Sequence, residues 1–328
     1  MKETVRLRDF FRRYDGEIIT IIGSGGKTAL LWFLARCFAG GTGPSPLCGK
    51  WKIDNGKGIM NTRNAPGTAH GRTPLPGTGP SGEQAPPGNR PCCRGTGPEG
   101  ASGNADRRVL VTTTTKMGAP DFESGLFDHF INGLSLGADA GPLPAIETAI
   151  KTAIEPGITF AGNYEKGAAK TAALPPAVLS ALIHNADVTL IEGDGSKTLP
   201  LKGWADHEPV IPPPTTVTVG VIPLWPLGMP VTEAIVHRLP LFCALTGAGE
   251  SDILTTSHLA AAISGLDKRR GLFTEARGKR ALFFNQAEDE DALRQAGEIM
   301  EALPAAFKAR LDAVIAGSVK WDRCAILR

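Results

Sequence analysis

Residues Glu17 to Thr28 read EIITIIGSGGKT and run into an apolar stretch from Ala29 to Phe38. Continuous branched apolar residues predict a buried strand, three glycines a tight turn, and the apolar run a helix. That order restricts the fold, because a fully buried strand feeding a helix belongs to a parallel sheet covered by helices. It also builds an anion site from the main chain. Glycines let successive N–H groups converge, and the helix N-terminus adds partial positive charge. Gly23, Ser24, Gly25 and Gly26 are the expected cradle, with Lys27 on the β- and γ-phosphates and the Thr28 hydroxyl on Mg²⁺. The spacing departs from the strict glycine-loop pattern, because Ile21 stands six residues before the lysine where that pattern has glycine.

The segment from Gly41 to Arg107 breaks the pattern around it. It holds 15 of the 40 glycines and 10 of the 26 prolines, with few branched apolar residues. Such a composition cannot bury enough surface to offset chain entropy, so 41–107 is expected to be a disordered insertion. The rest, 1–40 and 108–328, is expected to form a single domain. The segment carries eight Lys or Arg against four Asp or Glu, so its +4 leaves about −2 on the remainder of a chain whose net charge is +2. That balance argues against a nucleic-acid surface.

Beyond the insertion, strands are expected at Val109–Thr112, Gly157–Ala161, Asp187–Glu192, Thr216–Val221, Ala281–Phe284 and Ala313–Ala316. Helices are expected at Ala145–Ile154, Pro176–His184, Val231–Leu245, Thr256–Ile263 and Glu290–Leu303. Their alternation predicts an α/β fold, a doubly wound, mainly parallel sheet of the P-loop nucleoside-triphosphate-binding type. Ligands of such sheets lie beyond the C-terminal strand ends, and the polar motifs fall there.

Glu192-Gly193-Asp194-Gly195 closes the Asp187 strand, where a carboxylate can serve Mg²⁺. Asp194 is the expected ligand beside Thr28, with Glu192 as the other candidate, and both are candidate catalytic groups. Thr112 to Met117 follows the second strand, and Thr114 and Lys116 are expected near the γ-phosphate. The proline-fixed loop from Leu199 to Pro212 carries Lys202, His207 and Glu208, with His207 a candidate acid–base residue. Arg238, at the start of an expected helix, is a candidate phosphate clamp. Asn285 ends the strand that in many GTP-binding proteins carries Asn-Lys-x-Asp, and it is expected near the base, with Gln286 and Glu288 replacing Lys and Asp.

The six cysteines form no Cys-x-x-Cys pair and read as free thiols. Met1 to Phe10 has no apolar signal core, and no stretch reaches the ~18 apolar residues a membrane span needs. A cytoplasmic protein with no membrane or nucleic-acid partner is expected.

Ile22 to Thr28, Val111 to Met117, Glu192 to Ser196 and the Leu199 to Pro212 loop together resemble the YqeC family. The resemblance spans nearly the whole chain except 41–107, which departs from the family's compact helix-to-strand connection. It implies an accessory protein in the maturation of selenium-dependent molybdenum hydroxylases, with that enzyme or its cofactor-synthesis proteins as partners. It supplies no catalytic residues to transfer. Three functions are compatible with the residues. One is an accessory protein that binds or hydrolyses Mg-ATP or Mg-GTP. Another is a kinase or nucleotidyltransferase acting on a selenium or molybdopterin precursor. The third is a non-enzymatic carrier or scaffold.

Overall fold

A computed structural model describes residues 3–41, 106–119, 121–137, 154–265 and 270–328. The insertion expected at 41–107 and the helix expected at 145–154 fall almost wholly outside these residues.

In chain order the elements are β1 (Thr4–Val5), α1 (Leu7–Phe11), β2 (Ile18–Gly23), α2 (Lys27–Phe38), β3 (Arg108–Thr113), β4 (Met117–Gly118), β5 (His129–Asn132) and α3 (Gly133–Gly137). There follow β6 (Gly157–Gly162), β7 (Lys170–Thr171), α4 (Pro176–Ile183), β8 (Val188–Glu192), β9 (Leu201–Lys202), β10 (Val217–Pro223), β11 (Val236–His237) and α5 (Leu239–Thr246). The chain closes with α6 (Thr256–Ser264), β12 (Lys279–Asn285), α7 (Glu290–Ala302), α8 (Ala305–Lys308), β13 (Ala313–Ser318) and β14 (Arg323–Ile326).

Ten strands form one sheet in the order β1-β14-β13-β12-β10-β2-β8-β3-β6-β5. The eight from β13 to β5 run parallel; β14 and β1 add antiparallel pairs at one edge. The protein is therefore α/β with a large, mostly parallel sheet. Ile19 and Ile21 of β2 face the cluster formed with α1 and α2, whereas Ile22 faces the cluster formed with α5, α6 and α7. Strands apolar on both faces are what a sheet covered by helices on both sides requires. Each of these fully buried isoleucines contributes about 1.5–3 kcal/mol.

The strand that carries the glycine turn sits between β8 and β10. After β2 the chain crosses toward β3, and after β8 it crosses to β10 on the other side of β2. Adjacent strands whose connections leave in opposite directions open a crevice at their C-terminal ends, where such sheets bind ligands.

The strands expected inside the described residues are present, with ends shifted by one to two residues, as are the helices at 176, 256 and 290. The helix expected over Val231–Leu245 is shorter. Residues 236–237 form β11, paired with β9, and Arg238 adopts φ 60°, ψ 58° before α5 begins at Leu239. The apolar spacing there serves strand pairing first and helix packing second. Among the described residues no helix is long and apolar enough to cross a membrane.

Candidate functional site

The turn after β2 depends on glycine geometry. Gly23, Gly25 and Gly26 have φ of 100°, 67° and 125°, in the half of the map that side chains disfavour. Space enforces the same choice. A Cβ on Gly23 would lie 2.2 Å from the Val221 carbonyl oxygen, on Gly25 2.2 Å from Pro223 Cγ, and on Gly26 2.1 Å from Asn285 Nδ2. The end of β10 and the end of β12 thus press the turn into shape. Ser24 N donates to the Val221 carbonyl at 3.0 Å, and Asn285 Nδ2 donates to the Gly25 carbonyl at 2.9 Å. Asn285 is therefore a strut beneath the turn. Its Oδ1 and the Ser24 hydroxyl are buried without a hydrogen-bond partner, two polar atoms with spare capacity.

Lys27 opens α2 and is buried. Its Nζ donates to the Gly23 carbonyl at 2.7 Å and lies 3.4 Å from Asp194 Oδ1. Thr28, next on the helix, donates its hydroxyl to Glu192 Oε2 at 2.8 Å. Burial raises the Glu192 carboxyl above its ordinary range, against the opposing pull of Lys27 and the Thr28 hydrogen bond.

Asp194 lies two residues beyond β8 and is wholly buried. Both its oxygens accept from Gly23 N–H, at 3.0 and 3.1 Å, and Oδ2 also takes Trp204 Nε1 at 3.1 Å and Lys202 Nζ at 3.0 Å. With Lys27 alongside, the carboxylate is saturated by donors. A cation at Asp194 would share these oxygens with two ammonium groups. Glu192 and Thr28 place a second pair of hard oxygens beside the turn.

The loop after Asp194 is organised by charge. Lys202 is fully buried and joins Asp194 to Glu208 Oε2, 2.8 Å away. Glu208 accepts from both Arg238 terminal nitrogens, at 2.5 and 3.2 Å. Burial works against its ionised form, but the hydrogen bonds from Arg238 and Lys202 outweigh it and bring the carboxyl down to about 2. Lys202 and Glu208 thus point inward rather than toward a substrate. Arg238 serves Glu208 instead of standing free as a clamp. His237 beside it is held down to about 4 by burial and by Arg238, Lys197 and Lys202.

The other expected residues lie apart from this centre in different degrees. Thr114 is tied to the loop, donating from its hydroxyl to the Val210 carbonyl at 2.6 Å and from its N–H to the Glu192 carbonyl at 3.1 Å. Lys116 is exposed. His207 is also exposed, in a shallow cleft with Asp206, Arg270, Glu275 and Arg277 that no residue of the turn lines. Glu288 accepts from the Ser318 hydroxyl at 2.9 Å. Sequence reasoning missed Trp204 as a partner of Asp194 and Lys202 as its bridge. Only the density of charged and aromatic residues between two proline-rich stretches hinted at them.

Fold and centre together define a mostly parallel α/β protein with a glycine-shaped turn at its topological switch point. Residues 101–240 match the family model described as YqeC protein. Over that region the chain is similar to the YqeC family. It is 31% identical over 160 residues to the protein named Uncharacterized protein YqeC from Escherichia coli (strain K12). That alignment covers 48% of this chain and 57% of the relative, so the chain spans little more than half the length of the relative it matches. No solved structure matches the chain.

Proposed function

We propose that this chain binds a nucleoside triphosphate, ATP or GTP, with Mg²⁺ at the Gly23–Thr28 turn, as a P-loop-type protein. The observation that carries the reading is the turn itself. Three glycines are forced into positive φ at the N-terminus of a twelve-residue helix, with Lys27 buried beside them and the Ser24 hydroxyl left unpartnered. A main chain held in that shape presents N–H groups to an anion without reorganising. Lys27 would turn from the Gly23 carbonyl to the phosphates, and Thr28 with Glu192 would hold the metal. Bound Mg²⁺ would supply charge neutralisation across the phosphate oxygens. Asn285 would brace the turn from below rather than read the base, and Lys116 would face the γ-phosphate side.

The cellular role we propose is that of an accessory protein in maturing selenium-dependent molybdenum hydroxylases, in the cytoplasm, supported by the family resemblance. Calorimetry with Mg-ATP and Mg-GTP is expected to show saturable binding to at least one, lost by tenfold or more in Lys27→Ala. No binding of either, or undiminished binding in that variant, defeats the reading.

A further inference from the structure

The end of β12 is rich in acceptors and poor in donors. Asn285 Nδ2 is committed to the Gly25 carbonyl, which leaves Oδ1 of that amide as an acceptor, buried and without a partner. Gln286 turns the chain at φ 62°, and its Oε1 is likewise buried without a partner. Glu288, two residues on, is exposed and acceptor-only when ionised. The helix that follows does not account for it. Asp289 caps α7, and Glu290 and Asp291 fill its first turn, where acidic residues complement the helix dipole. The Glu288 carboxylate instead takes the hydroxyl of Ser318 at 2.9 Å, from the end of β13 thirty residues away, and that serine is buried.

Strand order sets the direction in which a nucleotide would lie. Thr28 and Glu192 stand on the β8 side of the turn, whereas β10, β12 and β13 succeed one another on the other side. With the metal end of a triphosphate toward β8, its nucleoside end leaves over the ends of β12 and β13. We propose that Glu288, positioned by Ser318, reads the base there, and that the base is guanine. The inference rests on reading Gly23–Thr28 as the phosphate site. Guanine presents two adjacent donors, N1–H and the 2-amino group, which a carboxylate accepts as a pair. Adenine offers a bare N1 at the same edge, whose lone pair would oppose the carboxylate. Discrimination then combines attraction to one base with repulsion of the other. Glutamine at position 288 would invert the code. Its amide oxygen still accepts N1–H, but its N–H now meets the 2-position, which suits xanthine, whose C2 carries an oxygen.

Calorimetric titration of the full chain with Mg-GTP, Mg-ATP, Mg-xanthosine triphosphate and inorganic pyrophosphate separates base from phosphate. The parent is expected to bind GTP about tenfold or more above ATP. Glu288→Gln should prefer xanthosine triphosphate to GTP while its pyrophosphate affinity stays at the parent value. Ser318→Ala should weaken GTP binding by about three- to tenfold, again with pyrophosphate unchanged. Asp291→Asn, on exposed α7, should alter none of these. Should Ser318→Ala fail to fold, Glu288→Gln carries the comparison alone. A parent that binds ATP as well as GTP, a GTP preference that survives Glu288→Gln, no gain for xanthosine triphosphate, or equal losses for GTP and pyrophosphate overturn this inference. The phosphate site stands through all of these so long as Lys27→Ala abolishes pyrophosphate binding. Undiminished pyrophosphate binding in Lys27→Ala overturns both.

Discussion

The turn after β2 takes its shape from glycine backbone packed against two strand ends, whereas the loop after β8 is held by side-chain charge. At the turn, glycines permit the φ values and the ends of β10 and β12 exclude any side chain. In the loop, Asp194, Lys202, Glu208 and Arg238 replace conformational restriction with ion pairs that water barely reaches. The two meet where Asp194 accepts the Gly23 N–H. The turn should therefore resist loss of charge but tolerate no added atoms. The loop should tolerate small changes of shape but no unpaired charge.

The severest test is Asp194→Ala, which takes the Asp194 carboxylate from Lys27, leaves Lys202 with Glu208, and strands the Trp204 indole N–H in the interior. Removing one partner of a buried pair costs about 3–5 kcal/mol, and urea denaturation should show it. A midpoint close to parent would mean that the loop is not organised by charge. Gly26→Ala comes next, at about 1–3 kcal/mol for a side chain forced into positive φ. Adding Asn285→Ala should recover part of that loss, because it removes the atom 2.1 Å from the new Cβ. Strict additivity of the two would separate the turn from its strut.

Acid should act on the loop before the turn. His237 is held at about 4 against an ordinary 6.5, so the fold favours its neutral form. The associated stability is present above pH 6.5 and is lost as pH falls from there toward 4. Glu208 is held at about 2 against 4.5, so its share is lost between 4.5 and 2. After allowance for partial exposure, the first window is worth about 1 kcal/mol. Denaturation midpoints from pH 7 to 4 should flatten in His237→Gln. A parent-like slope in that variant assigns the window elsewhere. The smallest effect belongs to Asp289→Ala, which removes the α7 cap that accepts Ala292 N–H at 2.8 Å. It should cost about 1 kcal/mol without altering pyrophosphate binding, since α7 belongs to neither loop.

The turn was legible because its cause is local: glycines between an apolar strand and an apolar helix leave few conformations open. The parallel strands were legible for the same reason, being continuous branched runs bounded by turn residues. The loop was not. Glu208 lies six residues from Lys202 but thirty from Arg238, and Asp194 reaches Gly23 across 171. Pairing at such distances is decided by topology, which a pattern of types along the chain does not encode. Arg238 shows the cost, because its place in an apolar stretch suggested a helix end with a free guanidinium. The edge additions β1, β5 and β14 are short strands whose pairing, rather than pattern, makes them strands.

The position of β2 has a temporal consequence. Its two partners, β8 and β10, are encoded far downstream, so a nascent chain emerges with Ile18 to Ile22 long before either neighbour exists. Until residue 192 has been synthesised the strand has two unpaired edges, and until residue 223 one, the kind of segment that invites association between chains. Its cradle cannot be finished before the loop that steadies it arrives. Slow maturation, with capture by chaperones during synthesis, is the expected biography of such an arrangement.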